Sequence, residues 1–250
     1  MKTSNKLILA ALVLTLVLLT WYDLRLKAEY LSGAYKNPYS NYVTLNYTGF
    51  DIVELPSSTA ANVKFVQGPY SVRVDNNALD YVVFQQQGHR LMINAVFERN
   101  YRWNPNPYVI VISCPTLTKL ITDASYRADN RMVTDTIVRE DWNMRRVLIE
   151  GFRQDSLSIE QNYGSTVELA GNSIRSLRAI IGKNAGSGSK IILQSGNEFR
   201  DATLDIGHYS KFILGNASIQ NLSYHLADSA ELIVTGNAQH LLNKTKLYQP

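Results

Sequence analysis

Four Gly-Asn pairs recur in phase in the last third of this 250-residue chain, at Gly171-Asn172, Gly196-Asn197, Gly215-Asn216 and Gly236-Asn237. Each follows a short apolar run that opens on a small residue: Ser165 before Val167 and Leu169, Ser189 before Ile191 and Leu193, Ser210 before Phe212 and Leu214, Ala230 before Leu232 and Val234. The small residues are 24, 21 and 20 positions apart. Second β-prone runs follow the first three pairs, at Leu177 to Ile181, Ala202 to Ile206 and Leu222 to Leu226. A unit of ~20 residues with two or three short strands is about one turn of a parallel β-solenoid, in which each rung stacks on the next. The pattern predicts Val167 and Leu169 over Ile191 and Leu193, then Phe212 and Leu214, then Leu232 and Val234. Glycine supplies a corner of positive φ, and Asn172, Asn197, Asn216 and Asn237 are expected to line one corner as a ladder. A β-sandwich also places turns every 8–12 residues or so, but it does not by itself put four Gly-Asn pairs in phase.

The rest of the body, from residue 42 to 250, reads as all-β without long helical periodicity. Val63-Lys64-Phe65-Val66 and Ser71-Val72-Arg73-Val74 alternate about the turn Gln67-Gly68-Pro69-Tyr70, as in a hairpin. Tyr81 to Phe84 and Leu91 to Val96 flank Gln87-Gly88-His89, and apolar runs follow at Tyr108 to Ile112 and Leu117 to Thr122. A short helical piece is expected near Asn77 to Asp80. Residues 124–146 carry both charges and read as an irregular, solvated loop.

The N-terminus has a different character. Lys2 and Lys6 precede an unbroken apolar run from Leu7 to Trp21, followed by Tyr22 and Asp23-Leu24-Arg25-Leu26-Lys27. A positive start before an apolar core is an export signature. The core ends in bulky residues, and its nearest small-x-small triplet is Ser32-Gly33-Ala34. We expect an uncleaved single-pass signal anchor over residues 1–22, contacting the membrane through residues 7–22, and a tether over 23–41; a cleaved signal peptide is the alternative. Trp21 and Tyr22 suit the interfacial aromatic belt. The chain has a net charge of +4 and a pI near 9.0. The excess lies almost wholly before residue 42, because the body holds 20 basic and 19 acidic residues. A clustered basic face is what phosphate-backbone binding needs, so nucleic acid is not an expected partner.

No catalytic, cofactor or metal site is expected. The single Cys114 excludes a disulfide framework and multi-cysteine zinc, and its apolar setting predicts a buried thiol. His89, His208, His225 and His240 fall at unequal offsets within the units, and no P-loop, GxSxG or HExxH pattern occurs. Asp201 and Asp205 beside Arg200 are the nearest match to the carboxylate clusters of solenoid lyases. Tyr163, Tyr209 and Tyr224 form either a sugar-stacking stripe or rung packing. In the loop Glu98 to Pro107, Arg99, Tyr101, Arg102 and Trp103 are candidate surface-contact residues, since Arg and aromatics concentrate at binding hot spots. The alternative is that they cover the flank of the stack.

Val66-Gln67-Gly68-Pro69-Tyr70-Ser71-Val72-Arg73-Val74, Arg90-Leu91-Met92-Ile93, Val109 to Leu120 and Gly186-Ser187-Gly188-Ser189 occur in an order that resembles the auto-transporter adhesin, head GIN domain family. The resemblance spans roughly residues 45–240 and departs at Asp123-Ala124-Ser125-Tyr126, where Gly-rich turns would stand. It implies a solenoid-like all-β domain of the bacterial cell envelope and no catalytic residues. The expected function is a non-catalytic interaction or adhesion module outside the cytoplasm, meeting a glycan, an envelope polymer or a protein. A structural or assembly domain of the envelope is the alternative, and a carbohydrate-active β-helix enzyme the less favoured one.

Overall fold

The computed structural model describes residues 3–33, 36–97, 108–135, 146–236 and 246–247. It divides into two compact units, Met1–Tyr42 and Val43–Pro250.

The first unit is built on α1 (Thr3–Ser32), whose residues are all exposed. Its most apolar stretch has a mean hydropathy of 2.2. Thirty residues rise about 45 Å at 1.5 Å each, so the helix is long and apolar enough to cross a membrane. It does not end with the apolar run, but continues ten residues into the segment expected as tether. Asp23 to Glu29 contains no Gly or Pro and is rich in good helix formers. Gly33, at φ +68°, ends the helix by taking the left-handed turn. The Arg25 guanidinium lies 5.4 Å from the centre of the Trp21 ring.

The second unit is mostly β. Its first half contains β1 (Tyr42–Leu45), β2 (Ile52–Leu55), β3 (Val63–Gln67), β4 (Ser71–Asp75), β5 (Val82–Gln87), β6 (Arg90–Phe97), β7 (Ile110–Cys114), β8 (Lys119–Thr122), β9 (Ser125–Ala128) and β10 (Arg131–Thr134). The second half alternates short and long strands: β11 (Arg146–Glu150), β12 (Arg153–Gln161), β13 (Thr166–Ala170), β14 (Ser173–Ile181), β15 (Lys190–Leu193), β16 (Glu198–Ile206), β17 (Lys211–Leu214), β18 (Ser218–Leu226), β19 (Glu231–Val234) and β20 (Lys246–Leu247). β11, β13, β15, β17 and β19, the short strands of the second half, enter one sheet, in the order β1-β4-β7-β3-β11-β13-β15-β17-β19. The long strands β12, β14, β16 and β18 enter a second, ordered β10-β9-β6-β2-β8-β12-β14-β16-β18-β20, with β5 on β6. Both sheets are mixed, and from β11 to β20 every pairing within them is parallel.

The register in the repeat follows the small-residue alignment. Val167 pairs with Ile191, Ile191 with Phe212 and Phe212 with Leu232, while Leu169, Leu193, Leu214 and Val234 form the next column. The long strands add Leu157, Leu177, Ala202 and Leu222. These columns face one another across a single apolar core. Short strands, and long strands from Leu157, Leu177, Ala202 and Leu222 onward, contribute alternate residues to it.

Three features of the first half differ from the expected layout. β3 and β4 do not pair as a hairpin. β7 lies between them, parallel to β3 and antiparallel to β4. The Val-Ile-Val-Ile run around β7 is buried on both faces, and a central position gives its backbone partners on both sides. Gly68 permits the close approach, since a Cβ there would stand 2.7 Å from Ser113 Oγ. The segment expected as an irregular loop holds the antiparallel pair β9–β10, joined by Asp129 and Asn130 at φ 47° and 61°. Both residue types tolerate the positive φ that a tight hairpin turn requires. The short helical piece is one 3₁₀ turn, Asn76–Ala78, capped by Asp75 Oδ1 accepting from Asn77 N–H at 2.8 Å.

Cys114 is fully buried, and desolvation, with a smaller push from Asp51, raises its thiol from 9.0 to about 12. The folded state therefore holds a proton that the unfolded state releases above pH 9. Its contribution to stability is complete below that pH and falls away between about 9 and 12. A thiol-reactive chromogenic disulfide at pH 8 is expected to leave Cys114 untouched until denaturant unfolds the chain. Rapid labelling without denaturant would contradict the burial.

Candidate functional site

The long strands carry the polar face on which this site rests. Their exposure does not alternate strictly. In β14, Arg175 and Ser176 are both exposed before alternation resumes, and Asp155-Ser156 in β12 and Gln220-Asn221 in β18 repeat this. Two adjacent outward residues interrupt the alternation, so the first three residues of each long strand lie ahead of its alternating segment. Across the stack, Arg153, Ser173, Glu198 and Ser218 form one column. Asp155, Arg175, Arg200 and Gln220 line the other side of an open groove of about 820 Å³. Its floor is Gln154, Ile174 and Phe199. Arg175 reaches Asp155 on the neighbouring strand, with Nη2 3.2 Å from Oδ1. Both side chains are largely exposed, and such a pair is worth at most about 1 kcal/mol.

The corner before the groove residues is held by buried amides. Asn172 and Asn197 are fully buried and stacked on consecutive rungs. Asn197 Nδ2 donates to Leu169 O and Gln194 O, each at 2.7 Å, while its Oδ1 accepts from Asn172 N–H at 3.1 Å and Asn172 Nδ2 at 2.9 Å. Asn172 Oδ1 in turn accepts from Phe152 N–H at 2.9 Å, and its Nδ2 donates to Ile149 O at 3.0 Å. Gly171 and Gly196 take the positive φ of this corner, 61° and 78°.

Asn216 stands apart from this ladder. Glu198 pairs with Ser218, which sets Asn197 beside Ala217, and Asn216 is exposed. The third Gly-Asn pair sits one position earlier in its corner, so the interior slot falls to Ala217. Asn237 lies outside the described residues, as do the candidate contact residues Arg99, Tyr101, Arg102 and Trp103. Sequence reasoning did not find the groove. The signal was the doubled outward pair in each long strand, which breaks the alternation used to find strands.

The other candidates separate. Asp201 Oδ1 accepts from Asn221 Nδ2 at 2.8 Å, and Asp205 Oδ1 lies 3.0 Å from His225 Nδ1. Four residues of extended strand set the two acids about 13 Å apart, beyond the ~5–9.5 Å that glycosidase carboxylate pairs span. Tyr209 is exposed with φ 55°, whereas Tyr224 packs against the core in the column of Leu204. They share no stripe. On the other sheet, Lys64 and Glu150 pair at 2.6 Å, and Arg146 lies 3.6 Å from Glu168 and 5.2 Å from the Tyr108 ring centre. Burial raises the Tyr108 phenol, with Arg146 opposing the shift. Cations and carboxylates match in this cluster, as in a structural ion network.

No family model matches the chain, and no curated protein does. Solved structures do. A "putative adhesin" from Bacteroides fragilis superposes with a TM-score of 0.55 at 16% identity, over 80% of this chain and 82% of that one. This likeness shows a shared fold. A "putative lipid binding protein" and a second "putative adhesin", both from Parabacteroides distasonis, give TM-scores of 0.45 and 0.40 at 15% and 10% identity. They cover 82% and 83% of this chain, and 74% and 96% of their own.

Proposed function

We propose that the chain is a non-catalytic interaction module of the bacterial envelope, anchored by α1 and presenting a rigid parallel β-solenoid outside the cytoplasm. The observation that carries this reading is the groove, a polar strip repeated on consecutive parallel strands and fixed beneath by a satisfied amide ladder. Stacked rungs hold such a strip in place without a cofactor. The spacing of Asp201 and Asp205 disfavours paired acid–base work. The "putative adhesin" name of the Bacteroides fragilis structure agrees with a contact role. Lys2 and Lys6 before the apolar run favour a cytoplasmic N-terminus, which would place the β unit on the other side.

The test uses the full chain in lipid vesicles, incubated with carbohydrate polymers extracted from bacterial surfaces. Saturable retention is expected, with each polymer recovered at its original length. Shortened polymers or new reducing ends would make the protein an enzyme, and absence of retention would remove the contact role.

A further inference from the structure

We propose that the groove is a binding site for a linear acidic glycan lying along the stack, across the strands. This rests on the contact-module reading and names its ligand class. The lining carries three guanidiniums, Arg153, Arg175 and Arg200, against two carboxylates, Asp155 and Glu198, so it retains one positive charge. Arg175 and Arg200 are each about two-thirds exposed, and the contacts they make, to Asp155 at 3.2 Å and Asp201 at 3.8 Å, are surface pairs that an incoming anion can replace. A guanidinium binds a carboxylate through two parallel hydrogen bonds, which a hydroxyl cannot match.

Spacing selects the polymer. Neighbouring strands lie about 4.8 Å apart, close to the advance of an extended glycan per β-linked pyranose. Successive 1,4-linked uronic acids turn their carboxylates to opposite sides of the chain. Arg153 stands on one wall and Arg175 on the other, one rung further, as two successive carboxylates need; Arg200, beside Arg175 on the same wall, reaches the second of those carboxylates from the next rung. Glu198 and Gln220 remain to accept from and donate to ring hydroxyls. The groove's aromatic side chain, Phe199, is buried in the floor, so charge and hydrogen bonds, not ring stacking, carry recognition. A peptide strand repeats its side chains on one face every ~6.6 Å, out of step with the rungs.

The probe is polymannuronate, a β-1,4-linked uronic acid chain, titrated onto the full-length protein in nanodiscs. β-1,4-Mannan, the uncharged counterpart, and poly-L-glutamate are the comparison arms. Polymannuronate is expected to bind and mannan is not. The double variant R175Q/R200Q should weaken binding at least tenfold, while R178Q, on the same strand outside the groove, should stay within twofold. Circular dichroism and the thermal midpoint of each variant should match the parent, since all three side chains are exposed. Equal binding of mannan, tighter binding of poly-L-glutamate, an equal loss in R178Q or no binding of polymannuronate would each overturn the assignment. If polymannuronate fails while surface polymers are still retained by vesicle-bound protein, the glycan class falls and the contact module stands.

Discussion

Replacing Asn197 by Ala is expected to destabilise the β unit by about 3 kcal/mol, and replacing Asn216 by Ala to change it by less than about 0.5 kcal/mol. The two asparagines occupy the same Gly-Asn motif, so sequence alone gives them equal standing. The difference comes from where the amides point. Removing the Asn197 side chain deprives Asn172 N–H and Nδ2 of their acceptor and Gln194 O of a donor, all inside the corner. A buried polar group left without a partner costs about 1–3 kcal/mol. Leu169 O keeps the N–H of Gln194 at 2.9 Å, which limits the total. Asn216 is exposed, and water replaces whatever its side chain gives up. Asn197→Asp should be at least as damaging as the alanine variant at neutral pH, because it loses both donations and buries a charge. Urea unfolding of the three variants beside the parent measures this. Equal losses for N197A and N216A would show that the corner is not held by a buried amide ladder.

Much of the repeat is readable from residues alone, because its core columns need small, apolar and glycine positions at fixed intervals. Aligning Ser165, Ser189, Ser210 and Ala230 reproduces the strand register, as the pairs Thr166–Lys190, Lys190–Lys211 and Lys211–Glu231 show. What stayed hidden is what alternation does not encode. Each long strand begins at Arg153, Ser173, Glu198 or Ser218, several residues before the second apolar run, because outward Arg, Asp and Ser carry no core signal. The displacement of Asn216 is invisible in a motif search. Gly171-Asn172 and Gly196-Asn197 close corners of three and four residues, whereas Gly215-Asn216 opens a corner of three, so the buried last slot passes to Ala217. Insertion of β7 between β3 and β4 is a long-range pairing, and the local hairpin pattern around Gly68 points the other way. The β9–β10 hairpin was concealed by its charges, although Asp129-Asn130 is a turn signal. The groove inherits the first of these difficulties, since its lining residues were never part of an apolar pattern.

Parallel pairing of successive long strands underlies both the second half of the fold and the groove. Ser156 and Ser176 are exposed partners on adjacent parallel strands, and Asp201 follows Ser176 on the next. Neighbouring Cα atoms at about 4.8 Å fall inside the ~4.4–6.8 Å range for a disulfide, and positions two strands apart, at roughly 9.6 Å, do not. Buried Cys114 does not compete. Copper-phenanthroline oxidation of the folded full-length chain is therefore expected to close an intramolecular disulfide in S156C/S176C and in S176C/D201C, and none in S156C/D201C. Closure in S156C/D201C, or its failure in both neighbouring pairs, would contradict the stack.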